Sequence, residues 1–87
     1  MADDFRKNLR YLSELYKSVA EVCRRIDINR QQYNKYLGGQ SEPSNYNLRK
    51  ICDFFGVTES ELYGPHADLV ALFASGHVPA VGGEPAS

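Results

Sequence analysis

The 87-residue chain is predicted to be all-α: a compact five-helix domain, with a short sixth helix as a candidate addition. Three observations carry that prediction. Apolar residues recur at steps of three and four, the period at which one face of a helix repeats. Ser, Asn and Thr at 18, 29 and 58 are each followed three positions later by Glu or Gln, the pattern of a capped helix N-terminus. Glycines stand where the periodic stretches stop, at 38–39, 56 and 64, because glycine tolerates the left-handed geometry of a helix end. The composition, 43 % hydrophobic and 24 % charged, is that of a soluble globular protein, and the length allows one domain at most.

The first helix is expected from about Asp3 to Tyr16, with Phe5, Leu9, Leu12 and Tyr16 on one face and Asp3 and Asp4 at the positive end of its dipole. The second begins after Ser18, where Ser18 and Glu21 can form a reciprocal capping box; Val19, Val22, Cys23 and Ile26 turn inward. Asp27 and Ile28 fill the next turn. The third begins after Asn29, with Gln32 at the returning position of the cap. Its apolar face is Tyr33, Tyr36 and Leu37, so both tyrosines are expected to be structural, packed on Val22, Ile26 and Leu48. Pro43 and Ser44 announce a fourth helix from about Asn45 to Phe55, with Leu48, Ile51, Cys52 and Phe55 inward. "TESE" opens a short fifth helix ending near Tyr63, and "HADLVALFAS" is the candidate sixth. From Gly76 on, "GHVPAVGGEPAS" has no periodicity and reads as a flexible tail or linker. The expected division is therefore 1–64, the main domain; 65–75, a short helix for packing or for dimerisation; and 76–87, the tail.

Several function classes find no support. No apolar run approaches the roughly 20 residues of a membrane span, and "MADDF" is not the start of a secretory signal. A cytoplasmic protein with no membrane partner is expected. Cys23 and Cys52 are too few for a disulfide framework and read as buried free thiols. His66 and His77 lie far in sequence from both and read as solvated loop residues. No catalytic residues, no metal ligands and no cofactor are expected, and hence no enzyme. The net charge of -1 hides an asymmetry. Lys17, Arg24, Arg25, Arg30, Lys35, Arg49 and Lys50 outnumber Glu21, Asp27 and Glu42 in residues 17–50, whereas residues 51–87 contain no Lys or Arg. A local basic surface, rather than whole-chain charge, sets the field that a polyanion meets.

A roughly eight-residue helix, a three-residue turn and a second helix rich in amides make a helix-turn-helix pattern. The stretch "SVAEVCRRIDINRQQYNKYLGGQSEPSNYNLRKICDFFGVTESELY" resembles the Cro/phage-repressor-like, or XRE-type, helix-turn-helix DNA-binding domain. The resemblance covers about residues 5–63 and rests on the Ser-capped second helix, the amide-rich third, the loop ending in Pro43-Ser44, and the closing step Gly56, Val57, Thr58, Leu62. It implies a lambda-repressor-like fold and a third helix that reads the major groove of double-stranded DNA. Three positions depart from the family pattern. Val19 replaces a Gln that supports DNA contact, and Cys23 stands where a small Ala is common. An Arg–Glu pair joining the first and third helices is lost, its ends falling near Leu12 or Ser13 and at Leu37.

Within the third helix, Arg30, Gln31, Asn34 and Lys35 form i, i+4 pairs facing away from the apolar stripe. Arg can donate two bonds to guanine, and Gln or Asn can match the edge of adenine. A solvated helix face also favours amides and cations, so the element alone does not separate the two readings. The resemblance places the base-contacting residues at these four positions. Phosphate contacts are expected at Lys17 and Ser18, where the second helix opens with unpaired amides, with Asn29 a further candidate, and, as the resemblance implies, around the next loop at Gln40, Ser41 and Asn45. Asn29 also has a capping role open to it. Arg24 and Arg25 read as solvent-facing charges, with phosphate contact as the alternative. The expected function is a sequence-specific transcription regulator, or the DNA-binding part of one, acting as a homodimer on DNA, with an effector domain beyond the chain end as a candidate partner. The alternative is a protein-interaction module such as an antitoxin or an assembly factor.

Overall fold

The computed structural model describes residues 2–16 and 18–76. These form six helices: α1 (Ala2–Tyr16), α2 (Val19–Ile26), α3 (Arg30–Leu37), α4 (Asn45–Phe55), α5 (Glu59–Tyr63) and α6 (His66–Ala74). Four of them, α2 to α5, begin at a side-chain cap. Ser44 Oγ accepts from the Asn47 amide to start α4, and Gly56, at φ 69, closes it in the left-handed region that favours glycine. Thr58 and Glu61 form the reciprocal box of α5.

The other two caps are only half of the expected pattern. Ser18 Oγ accepts from the Glu21 amide, but the Glu21 carboxylate takes Arg24 Nη2 at 2.6 and 2.8 Å and Arg25 Nε at 3.0 Å. Two guanidinium partners on the same helix face outcompete one backbone amide. Asn29 Oδ1 accepts from the amides of Gln31 and Gln32, while the Gln32 side chain donates to Ser41 Oγ at 3.0 Å. The chain beyond Gly38–Gly39 folds back and offers that hydroxyl across the loop.

α1 is the central strut and touches α2, α3, α5 and α6. Phe5, Leu9 and Leu12 meet the inward faces of the other helices, among them Val22, Tyr33, Ile51, Phe55 and Leu62, in one buried cluster. Both cysteines are buried free thiols. Burial pushes the Cys52 thiol up to about 11, well above its ordinary value.

α6 lies against α1 and α5, burying Leu69 and Phe73 while Val70 and Leu72 remain half-exposed. His66 is not the solvated loop residue that the sequence led one to expect. It is half-buried in the first turn of α6, with Nδ1 2.8 Å from Asn8 Oδ1. Asn8 is fully buried and its amide group donates to the carbonyls of Leu62 and Gly64. One polar residue of α1 thus fastens the end of α5 and the start of α6. Its Nδ2 hydrogens are both used on carbonyls, so Oδ1 must accept, and His66 Nδ1 is the donor. His77 and the tail reading of 76–87 fall, beyond Gly76, outside the described residues.

Candidate nucleic-acid interface

The turn between α2 and α3 fixes the site. Asp27 caps α2 in the left-handed region at φ 58, its amide donating to the Cys23 carbonyl. Asp is one of the few non-glycine residues found there. Ile28 is buried beneath the turn, and Asn29 then caps α3. The Lys50 ammonium donates to the Asp27 carbonyl at 3.1 Å, tying the turn to α4.

α3 is held from beneath by two tyrosines with opposite anchors. Tyr33 is fully buried, its hydroxyl 2.7 Å from Ser13 Oγ on α1. Ser13 in turn donates to the Leu9 carbonyl. Tyr36 is 2 % exposed and its hydroxyl accepts from Asn47 Nδ2 on α4. Leu37 completes the buried face. At about 100° per residue, burial of 33, 36 and 37 directs Gln31 and Lys35 to the opposite side. Arg30 and Asn34 border the α2 side, where the Arg30 charge counteracts the upward push of burial on the Cys23 thiol. Gln32 and Tyr36 border the α3–α4 loop and α4.

The four candidate base-contacting residues, Arg30, Gln31, Asn34 and Lys35, are all exposed. Gln31, Asn34 and Lys35 line one shallow concavity with Gly38 and Gln40, so one phosphate candidate joins three base candidates. Arg30 does not line it. Ser18 is exposed at the start of α2, and its hydroxyl, accepting from Glu21, keeps a proton to donate. Asn45 is exposed in the first turn of α4. Ser41 is half-buried under Gln32. Asn29 is exposed, but its carbonyl oxygen is committed to the cap. Lys17 lies outside the described residues. Arg24 and Arg25 share the Glu21 carboxylate, which they hold below the ordinary carboxylate range, Arg24 more strongly. Much of their charge is therefore met within α2.

This geometry is two short helices about a tight turn, the second buried on one face and polar on the other. The family model for the helix-turn-helix, of the Cro/C1 type and XRE-like, matches residues 8–62. The chain belongs to this family of DNA-binding regulators. No curated protein and no solved structure matches the chain. No helix among the described residues is long and apolar enough to cross a membrane.

The departures from the helix-turn-helix pattern have a physical account. Where relatives join the first and third helices by an ion pair, this member has Leu12 and Leu37 packed in the core and a neutral Ser13–Tyr33 hydrogen bond beside them. No charge is left buried alone, a state that would cost about 3–5 kcal/mol. Val19 is half-buried against the core and offers no polar group where relatives carry Gln. Sequence reasoning missed the residues that aim α3: Ser13, Gln32 in its strap to Ser41, and Asn47. Ser13 and Asn47 had a weak signal, each being polar within an otherwise amphipathic helix.

Proposed function

We propose that this chain is a sequence-specific DNA-binding transcription regulator, or the DNA-binding part of one, with α3 in the major groove. The observation that carries the reading is the outward face of α3. Arg30, Gln31, Asn34 and Lys35 are all exposed, on a helix whose other face is locked by Tyr33 and Tyr36. Rigid presentation of bidentate donors is what base readout requires. In this reading those four residues contact bases. Lys17, Ser18 and Asn29 at one end, and Gln40, Ser41 and Asn45 at the other, contact phosphates and set the register. One such helix reads only a few base pairs, so two copies act on a two-fold site with recognition helices about 34 Å apart. An effector domain beyond the chain end would couple this readout to a signal.

A second reading, an interaction module for another protein, draws on two features. Val19 lacks the expected amide, and residues 51–76 carry Asp53, Glu59, Glu61 and Asp68 with no Lys or Arg. Selection of bound duplexes from a random pool separates the two. Enrichment of a short motif with half-site symmetry supports the DNA reading. No enrichment, and affinity that does not fall with salt, would reject it. On an enriched duplex, Arg30→Ala and Gln31→Ala are each expected to cost about 1–3 kcal/mol and to relax preference at one base pair.

A further inference from the structure

The face of α1 turned away from the core carries Lys7, Arg10, Tyr11 and Glu14 at helical steps of three and four. With His66 of α6 they line a shallow concavity of about 260 Å³. The DNA reading uses none of these residues. Lys7 and Arg10 are exposed. The one carboxylate of the lining, Glu14, is 3.9 Å from Arg10, with both side chains more than half exposed, a pair of little strength. The lining therefore keeps a net positive charge.

His66 is the member whose hydrogen-bonding role is fixed from within the fold. Its Nδ1 donates to Asn8 Oδ1 at 2.8 Å, because the fully buried Asn8 spends both amide hydrogens on the carbonyls of Leu62 and Gly64. The Tyr11 ring stands edge-on to the imidazole at 5.7 Å and to Phe73 at 6.3 Å, which holds the ring orientation. In the neutral imidazole the proton on Nδ1 leaves Nε2 as an acceptor, and Nε2 has no hydrogen-bond partner among the described residues. The concavity thus joins two cationic donors to one oriented lone pair. A bare oxyanion such as sulfate satisfies the cations but turns an oxygen lone pair toward that of Nε2. An oxyanion that also bears a hydroxyl satisfies all three.

We propose that this concavity between α1 and α6 is a binding site for hydrogen phosphate, whose oxygens accept from Lys7 and Arg10 and whose hydroxyl donates to His66 Nε2. Asn8 acts here as a positioning residue, since it fixes which imidazole nitrogen carries the proton. The site is independent of the DNA reading and stands even for a chain that binds no duplex.

The test uses the full chain at about pH 8, above the range in which a histidine ordinarily charges. Backbone amide NMR spectra are followed as sodium phosphate, sulfate or chloride is added at constant ionic strength. Phosphate should give saturable shifts centred on residues 7–14 and 66. Sulfate, with no hydroxyl for Nε2, should bind about tenfold more weakly. Lys7→Gln and Arg10→Gln, at exposed positions, should keep the parent's melting temperature and each weaken phosphate binding about threefold. His66→Asn keeps a donor for Asn8 and deletes Nε2, so it should abolish the preference for phosphate over sulfate. Equal affinity of the parent for the two anions overturns the proposal, as does a preference that survives His66→Asn. Shifts centred on α2 or α3 would put the anion on the other side of the domain and overturn it too. So would a linear response shared with chloride, which is the mark of diffuse charge, or phosphate binding that neither Lys7→Gln nor Arg10→Gln weakens.

Discussion

The bond between Ser13 and Tyr33 gives an asymmetry that mutation can read. Ser13 has one hydroxyl proton, and it is spent on the Leu9 carbonyl at 2.7 Å. The Tyr33 hydroxyl, 2.7 Å away, must therefore be the donor and Ser13 Oγ the acceptor. Burial raises the Tyr33 phenol well above its ordinary value, which keeps that proton in place. Tyr33→Phe deletes the donor and leaves an oxygen that still donates to Leu9, so the cost is that of one net hydrogen bond, about 1 kcal/mol. Ser13→Ala deletes the acceptor and leaves a fully buried hydroxyl with no partner, at about 1–3 kcal/mol. The double variant removes both ends and should cost no more than Ser13→Ala alone. Urea unfolding followed by circular dichroism measures all three. Equal single-variant costs that add in the double variant would refute the donor assignment and the coupling of α1 to α3 that rests on it.

Three further outcomes follow from the same structure. Asp27→Gly should stabilise the protein by about 1 kcal/mol, because release from left-handed strain and removal of a negative charge at a helix C-terminus outweigh the added freedom of the unfolded chain; a lower urea midpoint would contradict this. Leu69→Ala should cost about 2–5 kcal/mol, as for a buried leucine, and an unchanged melting temperature would show that α6 does not belong to the core. At alkaline pH the thiols of Cys23 and Cys52 and the phenols of Tyr33 and Tyr63 are all raised by burial, so the unfolded chain loses its protons first. Stability is full below about pH 9 and falls between there and about pH 11, where Cys52 titrates in the fold, by up to about 1.4 kcal/mol per pH unit for each group. A urea midpoint that stays level from pH 8 to pH 10.5, or a decline equally steep in Cys52→Ala, would refute this.

The parts of the fold legible in the sequence are those governed by neighbours along the chain. Helix period, Ser44, Thr58 and Gly56 act within a turn or two, and they place α4 and α5 where they are found. The misread features turn on competition among side chains, near or distant in sequence. Glu21 leaves its capping box for two arginines, and Gln32 leaves its own for Ser41. His66 is drawn from the surface by Asn8, 58 residues away, and no periodicity records such a contact. The four α3 side chains were legible because helical spacing alone separates them from Tyr33, Tyr36 and Leu37.

The charge layout bears on how such a domain would meet DNA. Glu21 offsets only one of the two charges of Arg24 and Arg25; the further cations around α3 and the start of α4 include, among the described residues, Arg30, Lys35, Arg49 and Lys50. Each phosphate neutralised contributes about −0.9 to the salt slope, which limits one domain to a slope of about −3 to −4 from these groups. Sequence-independent affinity is then modest, and discrimination has to come from bonds to bases. The acidic residues of α5 and α6 act in the same direction. α3 rests on α1 and α2 while α6 rests on α1 and α5, so Glu59, Glu61 and Asp68 gather away from the reading face. A polyanion repels that pole and attracts the other. Under the proposed DNA reading, the near-zero net charge coexists with a charge layout that would orient the domain with α3 foremost. Reversing Asp68 to Lys should weaken this orientation, raising affinity for scrambled duplex more than for the selected one.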